Sequence, residues 1–346
     1  MQTKVTLETS YRKFTVFKLK YQKNYTNEME ESFRFKIFND NLFKISDHNE
    51  RFEEGLVTYS LRISMWSDLL EYEYIETATC VQTTNMYLQQ SGKQFLPPRN
   101  ITLRSHVDWR DENSVTPVKD QRFCNSCWAY SAIGAIEGQN FLKNDQLINL
   151  SAQYLINCDV LDNGCKTGSQ LSAYKFIQDN EGIISEESYH YTGVNKNCNS
   201  LPKDATVKIS GYREILQGNE HDLQAAVATI GPIAASVDGA GMQHYSGGIF
   251  DNRKCSSVDV NIAVLVVGYG TTHDHIDYWI VKNSWGTSWG ENGYIYMLKV
   301  TLYDFFMTIL IKDYTSKLFA VEEPQFWLIL LRAKITVHAE DSVEWL

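Results

Sequence analysis

Residues 121–130 read QRFCNSCWAY, and they set the start of a buried helix. After Cys127 the apolar residues Ala129, Ala132, Ile133 and Ile136 recur at i, i+3, i+4 and i+7, the spacing of one helical face. A thiol therefore stands at a helix N-terminus, where unpaired backbone N–H groups favour negative charge and lower its pKa modestly. Downstream of about residue 210 the pattern turns strand-like, over 232–237, 263–267, 278–282 and 294–297, with Gly231, Gly268, Gly270 and Gly286 between the runs.

Upstream, Glu30, Arg34, Phe38, Asn41, Ile45 and Asn49 advance in steps of four, four, three, four and four, so all six lie along one stripe of a helix. Residues 89–105, with Pro97 and Pro98, read as a linker whose backbone is open to cleavage, near Ile101 to Leu103. The 346 residues allow two to three compact units. A net charge of −10 and a pI near 5.3 argue against nucleic acid or an anionic membrane as partner. No apolar N-terminal run of the kind that directs secretion is present in MQTKVTLETSYRKF, although sequons at Asn24, Asn100 and Asn149 suit a secretory route.

The pairing of QRFCNSCWAY with YWIVKNSWGTSWGENGY at 278–294 closely resembles the papain family of cysteine peptidases, and the helical stripe resembles the pro-region signature of its cathepsin L-type members. The resemblance covers roughly residues 11–297. It implies an α+β, papain-like fold of two domains, a helical left domain (about 101–210) and a β-barrel right domain (about 211–297). A helical pro-region and linker (1–100) precede them, and an unmatched tail (298–346) follows. It also implies that Cys127 is the nucleophile, that Gln121 donates to the oxyanion, and that Asn283, shielded by Trp285, orients a catalytic histidine. Carried over in the same way, Gly168 pairs with an extended substrate, while Gln170, Ser236 and Val260 line the pocket beside it. The implied bridges are Cys124–Cys165 and Cys158–Cys198, which need an oxidising compartment. Cys127 is expected free and Cys80 lies in the pro-region. Cys255 is expected to lack its usual partner. Asn125 stands where the family has glycine, and would tolerate a positive φ best among the other residues. A second pro-region signature appears only in degraded form as Arg62, Ser64, Trp66 and Asp68, with its first two positions lost.

One position breaks the pattern. Where the family carries its histidine, in the segment 261–270, this chain has Ile262. A thiol acts as a thiolate, and with an ordinary pKa of about 8.5 only roughly 3% is ionised at pH 7. Isoleucine can neither take that proton nor give one to the departing amine. Removing the base of a serine peptidase costs on the order of 10⁶ in turnover, and a cysteine enzyme, with its better nucleophile, somewhat less. Among the eight histidines none matches the lost one, and His244, His273 and His275 are poor substitutes.

The resulting expectation is a cathepsin L-like endopeptidase proenzyme by descent, inactive or severely impaired. The alternatives are a non-catalytic binding protein or inhibitor of related cysteine peptidases acting through its pro-region, or an active peptidase if codon 262 encodes histidine after all. Neither a cofactor nor a metal is implied. Expected partners are peptide or protein substrates if active, the chain's own pro-region in the cleft, and possible related cysteine peptidases. The family's location is lysosomal or extracellular. From Leu298 onward the sequence reads as translated intron or a frameshift, with a real, divergent extension as the alternative, and its apolar runs at 305–311 and 326–331 are far short of the ~20 residues a membrane span requires. With the family's last strand gone, the right domain is expected to close poorly.

Overall fold

The computed structural model describes residues 7–82, 93–198, 206–252, 255–256 and 259–299, and the backbone of 306–312. The N-terminal region folds as α1 (Leu7–Lys20), α2 (Glu28–Glu53), β1 (Tyr59–Leu61) and α3 (Glu71–Ala78). Phe14, Phe17, Phe38 and Leu42 give α1 and α2 a small aromatic core of their own, with Phe17 and Phe38 rings 4.9 Å apart. The polar members of the helical stripe fasten this core to the chain around it. Glu30 accepts from the Thr26 N–H (2.7 Å) and hydroxyl (2.6 Å), while the Asn27 side chain caps α2 by accepting from Glu30 N–H. Arg34 pairs with Glu73 (2.8 Å) and not with Glu30, Asn41 donates to Ser67 O (3.0 Å) and Leu69 O (3.1 Å), and Asn49 exchanges two hydrogen bonds of 2.8 Å with the Leu61 backbone.

The helical half of the body holds α4 (Cys127–Asn144), α5 (Ala152–Cys158) and α6 (Gln170–Asp179). The other half is built from β3 (Val107–Asp108), β4 (Gly211–Ile215), α7 (Glu220–Thr229), β5 (Ile233–Val237), β6 (Tyr245–Phe250), β7 (Ile262–Thr271), β8 (Asp277–Lys282) and β9 (Tyr294–Leu298). Residues 262–270 are all buried, which is why this strand reads as a continuous apolar run. Along its length β7 pairs with β5 at Ile262–Val266, with β3 at Gly268 and Tyr269, and with β8 on its opposite edge. An added Cβ on Gly268 would collide with the Val107 carbonyl, so only glycine permits the β3 pairing.

Two expectations need correction. With β2 (Lys93–Gln94) and β10 (Phe306–Lys312) included, the sheet is an open path, β1-β6-β9-β8-β7-β5-β10-β4-β2, and among the described residues no pairing closes it into a barrel. Its two edges are supplied from outside the body: β1 of the pro-region pairs with β6, and β2 (Lys93–Gln94) of the linker lies parallel to β4. Nor is the last strand gone. Tail residues Phe306–Lys312 form β10, antiparallel to both β4 and β5, in an interior position of the sheet. The structure pairs Cys124 with Cys165 and Cys158 with Cys198 across the helical half. Among the described residues no helix is long and apolar enough to cross a membrane.

Candidate active site

Cys127 is the first residue of α4, and Ile262 is the first of β7. The two element starts meet, with Ala263 N–H donating to Cys127 Sγ at 3.0 Å. Ile262 is 1% exposed, and its side chain lies flat against Gly239, where any added Cβ would strike its Cδ1. The Gly239 N–H is held by Asn261 Oδ1 (2.8 Å) and its carbonyl by the Tyr74 hydroxyl (2.8 Å), so the wall behind Ile262 is shared by body and pro-region.

Asn283 and Gln121 are tied together through Ser284. The Ser284 hydroxyl donates to Gln121 Oε1 (2.7 Å), and its N–H donates to Asn283 Oδ1 (2.8 Å). Both amides are buried. Asn283 Nδ2 is buried with no hydrogen-bond partner, a state that costs about 1–3 kcal/mol of desolvation. Trp285 covers this corner within an aromatic cluster drawn from both regions: Trp66 at 4.4 Å, Trp289 at 4.8 Å and Tyr74 at 6.3 Å between ring centroids, all edge-on.

The cleft is filled. Chain 80–82, just past α3, runs between the two halves and is hydrogen-bonded to both. Cys80 N–H donates to Asn261 O (2.9 Å), Gly168 N–H donates to Cys80 O (2.9 Å), and Gln82 N–H donates to Gly168 O (2.9 Å). Val81 thus forms a parallel bridge with Gly168. A side chain at 168 would enter the ring of buried Trp128, so glycine is required there for packing as well as for pairing.

Cys127 has a second thiol as its neighbour. The Cys80 side chain lies directly against the Cys127 sulfur, with Cα atoms 5.9 Å apart and both side chains fully buried. Cys255 is in no disulfide. The sequence places Cys80 in the pro-region but gives no sign of α3, which ends two residues before it. Asn125 has no positive φ, its N–H donating to Cys165 O (3.0 Å), and the left-handed turn falls on Arg122 instead (φ 55°).

Gln170 and Ser236 are brought together and are both fully buried, Gln170 Nε2 donating to Ser236 Oγ (3.1 Å), Ala235 O (3.0 Å) and Ser131 Oγ (3.3 Å). Val260 is buried at the entrance to β7. The histidines are engaged or remote. His244 Nδ1 lies 3.3 Å from Ser64 Oγ and 3.5 Å from Ser67 Oγ of the pro-region, and burial, then Lys44, hold its pKa down at about 4. His273 and His275 follow the far end of β7, nine strand residues or roughly 30 Å from Ile262. His338 lies outside the described residues. His106, Asp108 and Asp111 cluster beside β3, but Asp108 is already committed to Arg110 (2.6 Å).

Residues 103–306 match the profile of the papain family cysteine protease domain, and residues 14–74 that of the cathepsin propeptide inhibitor domain. The chain is 42% identical to cathepsin L of Sarcophaga peregrina over 292 residues, covering 82% of this chain and 86% of that one. It is 41% identical to a cathepsin L-like peptidase of Aedes aegypti over 296 residues, 83% and 87% of the two chains. Among solved structures, digestive procathepsin L 3 of Tenebrio molitor larval midgut superposes with a TM-score of 0.79 at 35% identity, over 89% of this chain and all of that one.

Proposed function

Because the chain belongs to the papain family of cysteine peptidases, with a cathepsin-type pro-region packed on the body, we propose that it is a cathepsin L-like proenzyme whose catalytic step is silent or severely impaired. The observation that carries this reading is Ile262 at the start of the strand that meets Cys127, together with an Asn283 amide nitrogen that has no partner among the described residues. Cys127 retains its helix N-terminus, and Gln121 is held by Ser284 for oxyanion donation. What is missing is the group that takes the thiol proton and returns it to the leaving amine. A cleft of this kind holds an extended peptide through Gly168 without cutting it. Gln170 and Ser236, expected beside that segment, are bonded to each other, which makes this part of the wall more polar than an apolar pair would. The family setting supports a lysosomal or extracellular location.

The test is Ile262→His, assayed for hydrolysis of a peptide substrate after reduction and removal of the pro-region. A gain of about 10²–10⁴ over the parent body is expected, the usual worth of a positioned acid–base group. A folded variant with no gain would sink the reading. A second reading, in which the pro-region inhibits related cysteine peptidases in trans, is favoured by the hydrogen bonds from 80–82 to both walls of the cleft. Titrating the isolated pro-region against an active cathepsin L-like enzyme tests it, and absence of inhibition at micromolar concentration rejects it.

A further inference from the structure

The pro-region does more than occlude the nucleophile. We propose that Cys80 and Cys127 form a disulfide that locks the pro-region covalently into the cleft, so that removing it requires reduction as well as cleavage of the linker. The Cα separation of 5.9 Å lies at the commonest value for disulfides. Cys80 is positioned by backbone on both sides, its N–H on Asn261 O and its C=O on Gly168 N–H, so its sulfur faces Cys127 as long as the segment is docked. Both side chains are fully buried among body and pro-region residues, and among the described residues the Ala263 N–H is the polar group that bonds the Cys127 sulfur. In a site with a histidine base the thiolate would be held in an ion pair with the imidazolium; Ile262 leaves the sulfur to its neighbour.

The chemistry balances with a small-molecule disulfide, such as oxidised glutathione, as oxidant. One cysteine thiolate attacks the glutathione disulfide and expels one glutathione thiolate. The second cysteine thiolate then attacks the mixed disulfide and expels the other. Two protein thiols lose two electrons, one glutathione disulfide becomes two glutathione thiols, and the two protons end on them. Conditions that form Cys124–Cys165 and Cys158–Cys198 supply this oxidant. Because both sulfurs are buried, the bond forms before or during docking and is shielded afterwards. The bridge spans 47 residues, and that span contains the whole linker, so a cut there leaves the pro-region tethered.

The inference does not depend on whether Ile262 abolishes turnover, because its readouts are covalent. The full chain is produced in an oxidising compartment, cut in the linker with a low dose of added protease, and run denatured with iodoacetamide on gels with and without dithiothreitol. The pro-region should migrate with the body until dithiothreitol releases it, and tandem mass spectra of the unreduced digest should contain a fragment joining Cys80 to Cys127. Cys80→Ser should release the pro-region without reductant and leave Cys127 alkylated. The proposal is overturned if the wild-type pro-region separates without reductant, if Cys80 and Cys127 are both alkylated in the unreduced denatured chain, or if Cys80 is found joined to Cys255. The wild-type measurements decide the matter even if Cys80→Ser fails to fold.

Discussion

Asn283 is an amide with its oxygen engaged by the Ser284 N–H and its nitrogen buried without a partner among the described residues. On the reading proposed above, this amide is the group that would orient a histidine at position 262. On the thiol side, Cys127 keeps only the helix N-terminus as a source of acidity, which shifts a thiol far less than a neighbouring imidazolium. In the reduced body freed of its pro-region, Cys127 should alkylate with a pKa a little below the ordinary 8.5. Its rate should fall about tenfold per pH unit below that, roughly 10³-fold between pH 8 and pH 5. A rate that stays flat down to pH 5 would mean that another group ionises the sulfur.

At the scale of elements, α2 shows how a helix can carry two instructions at once. Phe38 and Ile45 bury themselves in the ordinary way, whereas Arg34, Asn41 and Asn49 bind backbone and side chains of the segment that returns past the helix. Asn49→Ala removes both bonds to Leu61, the residue at which β1 bends in its pairing with β6. The loss should lower the stability of pro-region docking by about 1–2 kcal/mol, at roughly 0.5–1.5 kcal/mol for each of two half-buried hydrogen bonds, measured as an earlier first unfolding transition. The tail strand β10 makes a sharper case. Ile309 is paired on one side with Ala234 and on the other with Glu214, so Ile309→Pro takes a donor from the middle of a sheet, where proline is not accommodated. Cooperative unfolding of the sheet half should be lost or its midpoint strongly lowered, as followed by circular dichroism. An unchanged melt would remove β10 from the folded sheet.

The molecule as a whole is held closed by contacts that cross from pro-region to body. Arg62 reaches Ser288 O (2.8 Å) and Gly290 O (2.6 Å), Trp66 packs on Trp285, and Ser64 and Ser67 bury His244. Arg62 and Ser64, at the first two positions of the degraded second pro-region signature, both bond across to the body. His244 makes the closure pH-dependent. Its folded pKa, about 4, lies below the 6.5 of a free histidine, so the unfolded or undocked chain binds the extra proton between these values. Stability is therefore complete above about pH 6.5 and falls as pH drops toward 4, by about 3 kcal/mol at 1.36 kcal/mol per pKa unit. His244→Gln, which cannot charge, should reduce the drop in melting temperature between pH 7.5 and pH 4.5. Equal drops in variant and parent would show that other groups govern the acid response.

Much of the site could be read along the chain, because its signals are local. The helix beginning at Cys127, the stripe from Glu30 to Asn49 and the all-apolar strand at 262–267 are written in periodicities of 3.6 and in unbroken apolar runs, which neighbours a few residues apart create. Ile262 was legible for the same reason: it interrupts a motif whose flanking residues are intact. Edge strands β1 and β2, of three and two residues, are too short to carry a period, and only the body strands they lie against make them strands. The seven residues of β10 do form an apolar run of strand length, but nothing local says that β4 and β5 leave room between them. Cys80 is the extreme case. Its meeting with Cys127 is decided by α3, by the Asn261 carbonyl and by the Gly168 amide, groups far apart in the chain that become neighbours only once both halves of the body and the pro-region have packed.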